Sequence, residues 1–378
     1  MILVVAFVLH CLIAYRLTRF ARPRWFRVAL PVALTVLYVL TALLPLSWRF
    51  PLDFIPKGAW PALRYASFIS MGLYSFVFTL FVIREVSWLL ARRAAPADPE
   101  RRRVLQHALN LGVLGGAATA TAIGYREARQ RAKVLPVEVP IAGLDPRLDG
   151  FTIVQLSDVH VGHTIGRDYV QAIVDGVNEL DADLVAITGD LIDGSVPDLA
   201  PHVAPLGELR SRHGTFFCTG NHEYYAGALE WIAALKGLGI RTLVNEHVVL
   251  EKGGAPLALG GVGDHTMGRY LGHEPRPKDA FAGAPEGAPR ILLAHQPRTA
   301  FLAAKAGVDL QLSGHTHGGQ FFPWNLVVYF VHPFVAGLER VTERMWIYVS
   351  RGTGYFGPPV RMGADAEITR ITLRRSQH

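Results

Sequence analysis

Cysteine is nearly absent, with two in 378 residues. Cys11 lies in the first apolar segment and Cys218 in an apolar run far along the chain, so no disulfide framework is expected. Cys218 reads as a small buried hydrophobe rather than a reactive thiol. Charge is also scarce. Only 18% of residues are Asp, Glu, Lys or Arg, and mean hydropathy is +0.24, too apolar for an ordinary soluble enzyme. Internal repeats and low-complexity tracts are missing, and Gly283–Pro289 reads as a surface loop. The net charge of +7 would suit nucleic acid, but many of the arginines flank apolar segments, as they do at membrane helices. No nucleic-acid partner is therefore expected.

The apolar excess is concentrated before Gly124, so the chain reads as a membrane part followed by a globular part. Residues 1–125 form the membrane region, 126–149 a linker and entry strand, and 150–378 the globular domain. Four apolar stretches, about Met1–Leu17, Phe26–Leu46, Ala66–Leu90 and Val104–Gly124, approach or reach the roughly 20 residues of a spanning helix. The first is short, and the fourth carries Gln106, His107 and Asn110. Ionisable residues are few in the span centres, which argues against a transporter. Arg16, Arg19, Arg22, Arg24 and Arg27 crowd the first connection, and Arg92, Arg93, Arg101, Arg102 and Arg103 the third. By the positive-inside rule those connections are cytoplasmic, and with four spans the C-terminal domain lies outside, as in a multi-pass bacterial inner-membrane protein. Arg126, Arg129, Arg131 and Lys133 argue the other way. The run Glu100-Arg101-Arg102-Arg103-Val104-Leu105-Gln106 looks like a twin-arginine export signal, in keeping with the outside placement. It reads equally as an arginine-rich loop before an anchor.

From Val134 onward, strand-like and helix-like runs alternate. Near-continuous apolar strands with helices between them predict a layered α/β domain. Helices are expected near Arg167–Glu179, Pro197–Ser211 and Gly227–Leu238. Trp346–Ser350 and Ile368–Leu373 are expected in a second sheet. The aromatic run Phe321, Phe322, Trp324, Tyr329 and Phe330 reads as core, with contact to membrane or a lipidic substrate as the other reading.

Five short motifs carry the chemistry. Asp158-Val159-His160, Gly189-Asp190, Gly220-Asn221-His222-Glu223, His295 and Gly314-His315-Thr316-His317 follow the strand-like runs Phe151–Leu156, Leu184–Thr188, Thr215–Cys218, Ile291–Ala294 and Leu310–Leu312. Carboxylate, amide and imidazole groups at successive strand ends converge on one sheet edge, and that donor set suits divalent ions of intermediate hardness. The order resembles the calcineurin-like metallophosphoesterases, most closely bacterial membrane-linked members, from about Val134 to the C-terminus.

The resemblance implies a two-sheet sandwich flanked by helices, with two divalent ions, Mn, Fe or Zn, at the sheets' C-terminal edge. Asp190 would bridge them. Asp158, His160 and His317 would complete one shell, and Asn221, His295 and His315 the other. His222 would stabilise the transition state or protonate the leaving oxygen. The implied reaction is hydrolysis of phosphomonoester, phosphodiester or pyrophosphate bonds by a metal-activated hydroxide. Lipid-linked or cell-wall substrates and membrane lipids are the expected partners. Asp193 is expected beside the ligands or as a cap, Glu223 on backbone groups, and His163 and His265 as plain loop histidines. A non-catalytic metal-binding receptor or sensor on the same fold is the alternative, which loss of a ligand or of His222 would favour.

Overall fold

The computed structural model describes residues 2–19, 24–49, 54–91 and 98–376; Arg22, Arg92 and Arg93, used above for orientation, lie outside these. The chain divides into one unit of Met1–Glu127 with Gly357–Val360, and another of Ala128–Phe356 with Arg361–His378.

The first unit contains helices α1 (Ile2–Thr18), α2 (Phe26–Arg49), α3 (Trp60–Ala91) and α4 (Pro99–Ala128). Two of them, over Phe26–Ser47 and Trp60–Ala91, are long and apolar enough to cross a membrane. The sequence suggested four. α1 has only 17 residues, and α4 opens on Arg101–Arg103 and carries Gln106, His107 and Asn110. Apolar side chains such as Val8, Val28, Val36 and Leu89 face outward. Polar groups pair inside: His10 Nε2 lies 3.3 Å from Thr35 Oγ1, and Asn110 Nδ2 donates to Leu17 O at 2.9 Å. Arg16 and Arg84 both pair with Glu85, near helix ends.

The second unit is built on two six-stranded sheets. Strands β1 (Lys133–Ile141), β2 (Thr152–Leu156), β3 (Leu184–Thr188), β4 (Thr215–Cys218) and β5 (Ile240–Thr242) belong to the first. The second holds β6 (Glu246–Lys252), β7 (Ala255–Gly261), β8 (Arg290–Leu293), β9 (Leu310–Ser313), β10 (Gly337–Arg340) and β11 (Trp346–Val349). β12 (Glu367–Arg375) joins the first sheet, giving the orders β1-β12-β2-β3-β4-β5 and β10-β11-β9-β8-β7-β6. That corrects the expectation for Ile368–Leu373, which pair antiparallel to β2 and parallel to β1 instead of entering the second sheet. A late return strand leaves no local pattern that says which sheet edge it will take.

Alternation along each strand sorts side chains between the layers. Ile153, Leu184, Ala186 and Phe216 meet Leu257, Leu259, Ile291, Leu293 and Leu312 between the sheets. Val154, Val185 and Ile187 face the other way, onto Val170, Ile173, Val174 and Val177 of α5 (Arg167–Asn178). α6 (Val196–Val203), α7 (Asn221–Ala226) and α8 (Ala228–Gly237) complete the connections of this sheet. α6 is shorter than the expected Pro197–Ser211, because a 3-10 turn takes over at Ala204–Glu208. The second sheet's outer face packs on α9 (Pro277–Ala280) and α10 (Ala300–Lys305). A further one-turn helix, α11 (Trp324–Val327), buries none of its residues, so the aromatic run does not form core beyond Phe321.

β2 to β4 run parallel, as do β7, β8, β9 and β11, so their C-terminal ends share one edge. Ligands in open α/β sheets gather at that edge. Gln155 ties the sheets together just below it, donating to Thr188 Oγ1 at 2.8 Å and to Ser313 O at 2.9 Å.

Candidate metal centre

The residues after β2, β3 and β9 leave their strands through left-handed backbone. φ is 52° at Asp158, 54° at His160, 48° at Asp190, 73° at His315 and 52° at His317. Such conformations are uncommon outside glycine, and five of them aimed at one point mark a site where geometry outweighs backbone comfort. Two glycines give the room. A Cβ on Gly314 would meet the Asp158 carboxylate and the Ser157 hydroxyl, and one on Gly220 would meet Asp190.

Two clusters result. Asp158, His160 and His317 converge in one, and Asp190, His295 and His315 in the other; a third group that could hold a cation, His160, Asp193 and His222, adjoins the first. His295 Nδ1 donates to Thr188 O at 2.8 Å, which turns Nε2 toward His315 Nδ1 and Asp190 Oδ2, each 3.1 Å away. Burial lowers this ring, but the Asp190 carboxylate outweighs it and raises it well above the ordinary value, so with no cation between them Nε2 carries a proton. His160 Nδ1 likewise donates to Asp193 Oδ1 at 3.0 Å, so Nε2 faces His317 Nε2 at 3.1 Å. Facing nitrogen lone pairs at such distances repel unless a proton or a cation sits between them. Asn221 Oδ1 is buried with no hydrogen-bond donor, although a buried amide oxygen ordinarily finds one. The donors present therefore fit divalent cations in both clusters. Asp190 stands between them, with Oδ2 3.1 Å from His295 Nε2 and 4.0 Å from His160 Nε2.

Glu223 locks the frame. Fully buried, it accepts the backbone N–H groups of Gly220 (2.6 Å), Leu191 (2.8 Å) and Asp190 (3.1 Å), fastening α7 to the turn after β3. The His222 N–H donates to Asp190 Oδ1 at 2.9 Å. The His222 ring does not join either cluster of facing nitrogens. Its Nδ1 lies 2.6 Å from Asp193 Oδ1, leaving Nε2 turned toward the clusters, 3.9 Å from Asp190 Oδ2. Asp193 thus bridges His160 and His222, a connection that spacing alone did not reveal.

Electrostatics sort the groups. Burial pushes the Asp190 carboxyl up, but the surrounding His295, His222 and His160 outweigh it and hold it well below the usual range. Burial and the neighbouring His295 take His315 down to about 3, and burial with His160 takes His317 well down, leaving both rings neutral and able to ligate. Burial lowers His222, but the Asp193 hydrogen bond and the Asp190 charge raise it to about 9. In the protein alone, these partners favour the protonated ring.

The family pattern described as calcineurin-like phosphoesterase matches residues 151–319, a span that holds every residue from Asp158 to His317 discussed above. A transmembrane protein with metallophosphoesterase domain from Bos taurus is 41% identical over 300 residues, covering 76% of this chain and 67% of that protein. Its counterpart from Danio rerio is 38% identical over 327 residues, covering 83% and 74%. An uncharacterized metallophosphoesterase of Helicobacter pylori is 36% identical over 317 residues, covering 82% and 80%. This chain is a calcineurin-like phosphoesterase. It is a metal-dependent phosphoric ester hydrolase with apolar N-terminal helices long enough to cross a membrane.

Around the metal clusters, this phosphoesterase also gathers residues that no motif announced. The Phe356 ring lies 5.1 Å from His160 and 4.9 Å from His222, and the Tyr225 ring lies 5.4 Å from His222. His332, outside every motif, lies 5.3 Å from His315. Arg361 is fully buried; it donates to the carbonyls of Ala364, Arg351 and Gly354 and brings Nη2 to 3.5 Å from His317 Nδ1. The nearest sequence signal was Gly352, Gly354 and Gly357, whose spacing marks a sharp loop after β11. His163 is exposed, and His265 lies 3.4 Å from Thr299 Oγ1, outside both clusters.

Proposed function

We propose that this phosphoesterase is anchored in a membrane and works with two divalent ions, Mn, Fe or Zn. Asp158, His160 and His317 would hold one, Asn221, His295 and His315 the other, and Asp190 would be shared between them. The observation that carries this reading is Asp190 Oδ2, placed between His295 Nε2 at 3.1 Å and His160 Nε2 at 4.0 Å. Divalent ions there would supply Lewis acidity to the phosphoryl oxygens and acidify water. His222 acts on the other side of the reaction. Its Nε2 proton passes to the leaving oxygen as a water oxygen bonds to phosphorus and the P–O bond to the leaving group breaks, and Asp193 keeps the ring turned through Nδ1.

The substrates in this reading are phosphomonoesters, phosphodiesters or pyrophosphates of the cell envelope or of lipid-linked molecules. The two apolar helices and the relatives named as transmembrane proteins support an anchor. If all four helices span, arginine placement puts the catalytic unit of a multi-pass bacterial inner-membrane protein outside the cytoplasm; if only α2 and α3 span, the same arginines keep it inside. The test is hydrolysis of matched mono- and diester substrates by the detergent-solubilised chain under defined metals. Activity that needs no added ion after chelation, or none with any of the three metals, would refute it. A C-terminal alkaline phosphatase fusion, active only outside, tests the orientation separately.

A further inference from the structure

Between the Gly314–His317 turn and β10, the chain turns apolar side chains outward. Over α11 and the following turn, Trp324 is 46%, Leu326 57%, Tyr329 65% and Phe330 90% exposed. Exposed Phe301 and Leu302 of α10 extend the face: Phe301 lies 5.9 Å from Phe334, and Arg298 Nη2 donates to Val331 O at 3.3 Å. Soluble domains rarely leave so continuous an apolar face uncovered. From 298 to 335 the exposed charged side chains are Arg298 and Lys305, and the single carboxylate, Asp309, is buried against Arg290 N–H and Arg344.

Aromatic and aliphatic tips beside isolated cations match the boundary of an anionic bilayer. The tips enter the acyl layer while Arg and Lys meet phosphate headgroups. The face also adjoins the metal centre, since His332 near its end contacts His315. We propose that this face seats the catalytic unit on the surface of an anionic phospholipid bilayer, so that phosphoesters reach the metal centre from the headgroup layer. The inference rests on the membrane-anchored reading above, which keeps a bilayer within reach of the unit.

The test uses the full chain in nanodiscs of mixed zwitterionic and anionic phospholipid. Cys11→Ser removes the exposed thiol and leaves the buried Cys218. A bimane label is then placed at Phe330→Cys or, as a control, at Glu286→Cys, in the exposed loop 283–289. At position 330 most emission should be lost to a spin-labelled lipid and little to aqueous iodide, with the reverse at 286. Iodide quenching at 330 equal to that at 286 would overturn the proposal. So would a label shielded from both quenchers, as a protein partner or second copy would shield it. Quenching needs no catalysis, so a failure to hydrolyse p-nitrophenyl phosphate would count against the enzymatic reading alone. Release of the wild-type chain without detergent would count against the anchor, and quenching on added vesicles would still decide the face.

Discussion

Asp193 offers the sharpest test of how the site holds His222. One carboxylate oxygen, Oδ1, takes Nδ1–H of His222 at 2.6 Å and Nδ1–H of His160 at 3.0 Å. It thereby sets both tautomers and aims both Nε2 atoms inward. A hydrogen bond to a charged group contributes about 1.5–3 kcal/mol, or roughly 10–150-fold in rate if it is lost only where the ring works. Asp193→Ala frees both rings and should lower kcat by about 10²-fold. Asp193→Asn keeps an oxygen able to accept from both rings but drops the charge, so its loss should be nearer tenfold. The assay is steady-state hydrolysis of p-nitrophenyl phosphate and of an alkyl phosphate at saturating metal. The alkyl ester should suffer more, because its leaving oxygen needs a proton. Unchanged kcat in Asp193→Ala would refute the reasoning. A loss seen only at limiting metal would show that Asp193 matters only through His160.

Other consequences follow from single contacts. His222→Ala should keep its metal and lose about 10²–10⁴-fold in rate, less for nitrophenyl than for alkyl esters; metal analysis beside kinetics checks this. Gly314→Ala places a methyl group against the buried Asp158 and Ser157 and should cost about 1–3 kcal/mol along with metal affinity, measured by thermal unfolding with and without metal. Asp183 joins β2 to β3, accepting from Thr152 N at 2.8 Å and Lys252 Nζ at 2.8 Å. Burial pushes its carboxyl up, but Lys252 and Thr152 outweigh that and hold it below the ordinary 3.8. Its stabilisation is thus present above about pH 4 and fades as pH falls through the lowered folded value. Asp183→Asn should lose about 2 kcal/mol at pH 7 and progressively less in acid, seen by urea unfolding across pH.

Much of the candidate site could be read from the chain because its candidate ligands sit immediately after buried strands, where apolar runs end abruptly in Asp, Asn or His. β3 and β4 fall on the expected residues, Leu184–Thr188 and Thr215–Cys218, for that reason. What escaped depends on returns over long distances. β12 reaches the first sheet only after the whole second sheet is built, and Phe356 and Arg361 come to the clusters through a loop with no motif. Asp193 was visible but its partners were not, since two histidines 33 and 29 residues away share one oxygen. The aromatic stretch failed for a different reason. Apolar composition states a preference for leaving water, and a bilayer satisfies it as well as a core does.

The central claim is that Asp190 joins two ions in one hydrolytic centre. Metal analysis of the purified full chain, run beside Asp190→Asn with hydrolysis measured on the same samples, tests it most directly. The account predicts close to two transition-metal ions per chain in the wild type. In the variant it predicts loss of most metal and of hydrolysis together. A single tightly held ion in the wild type, or full hydrolysis by Asp190→Asn, would contradict it.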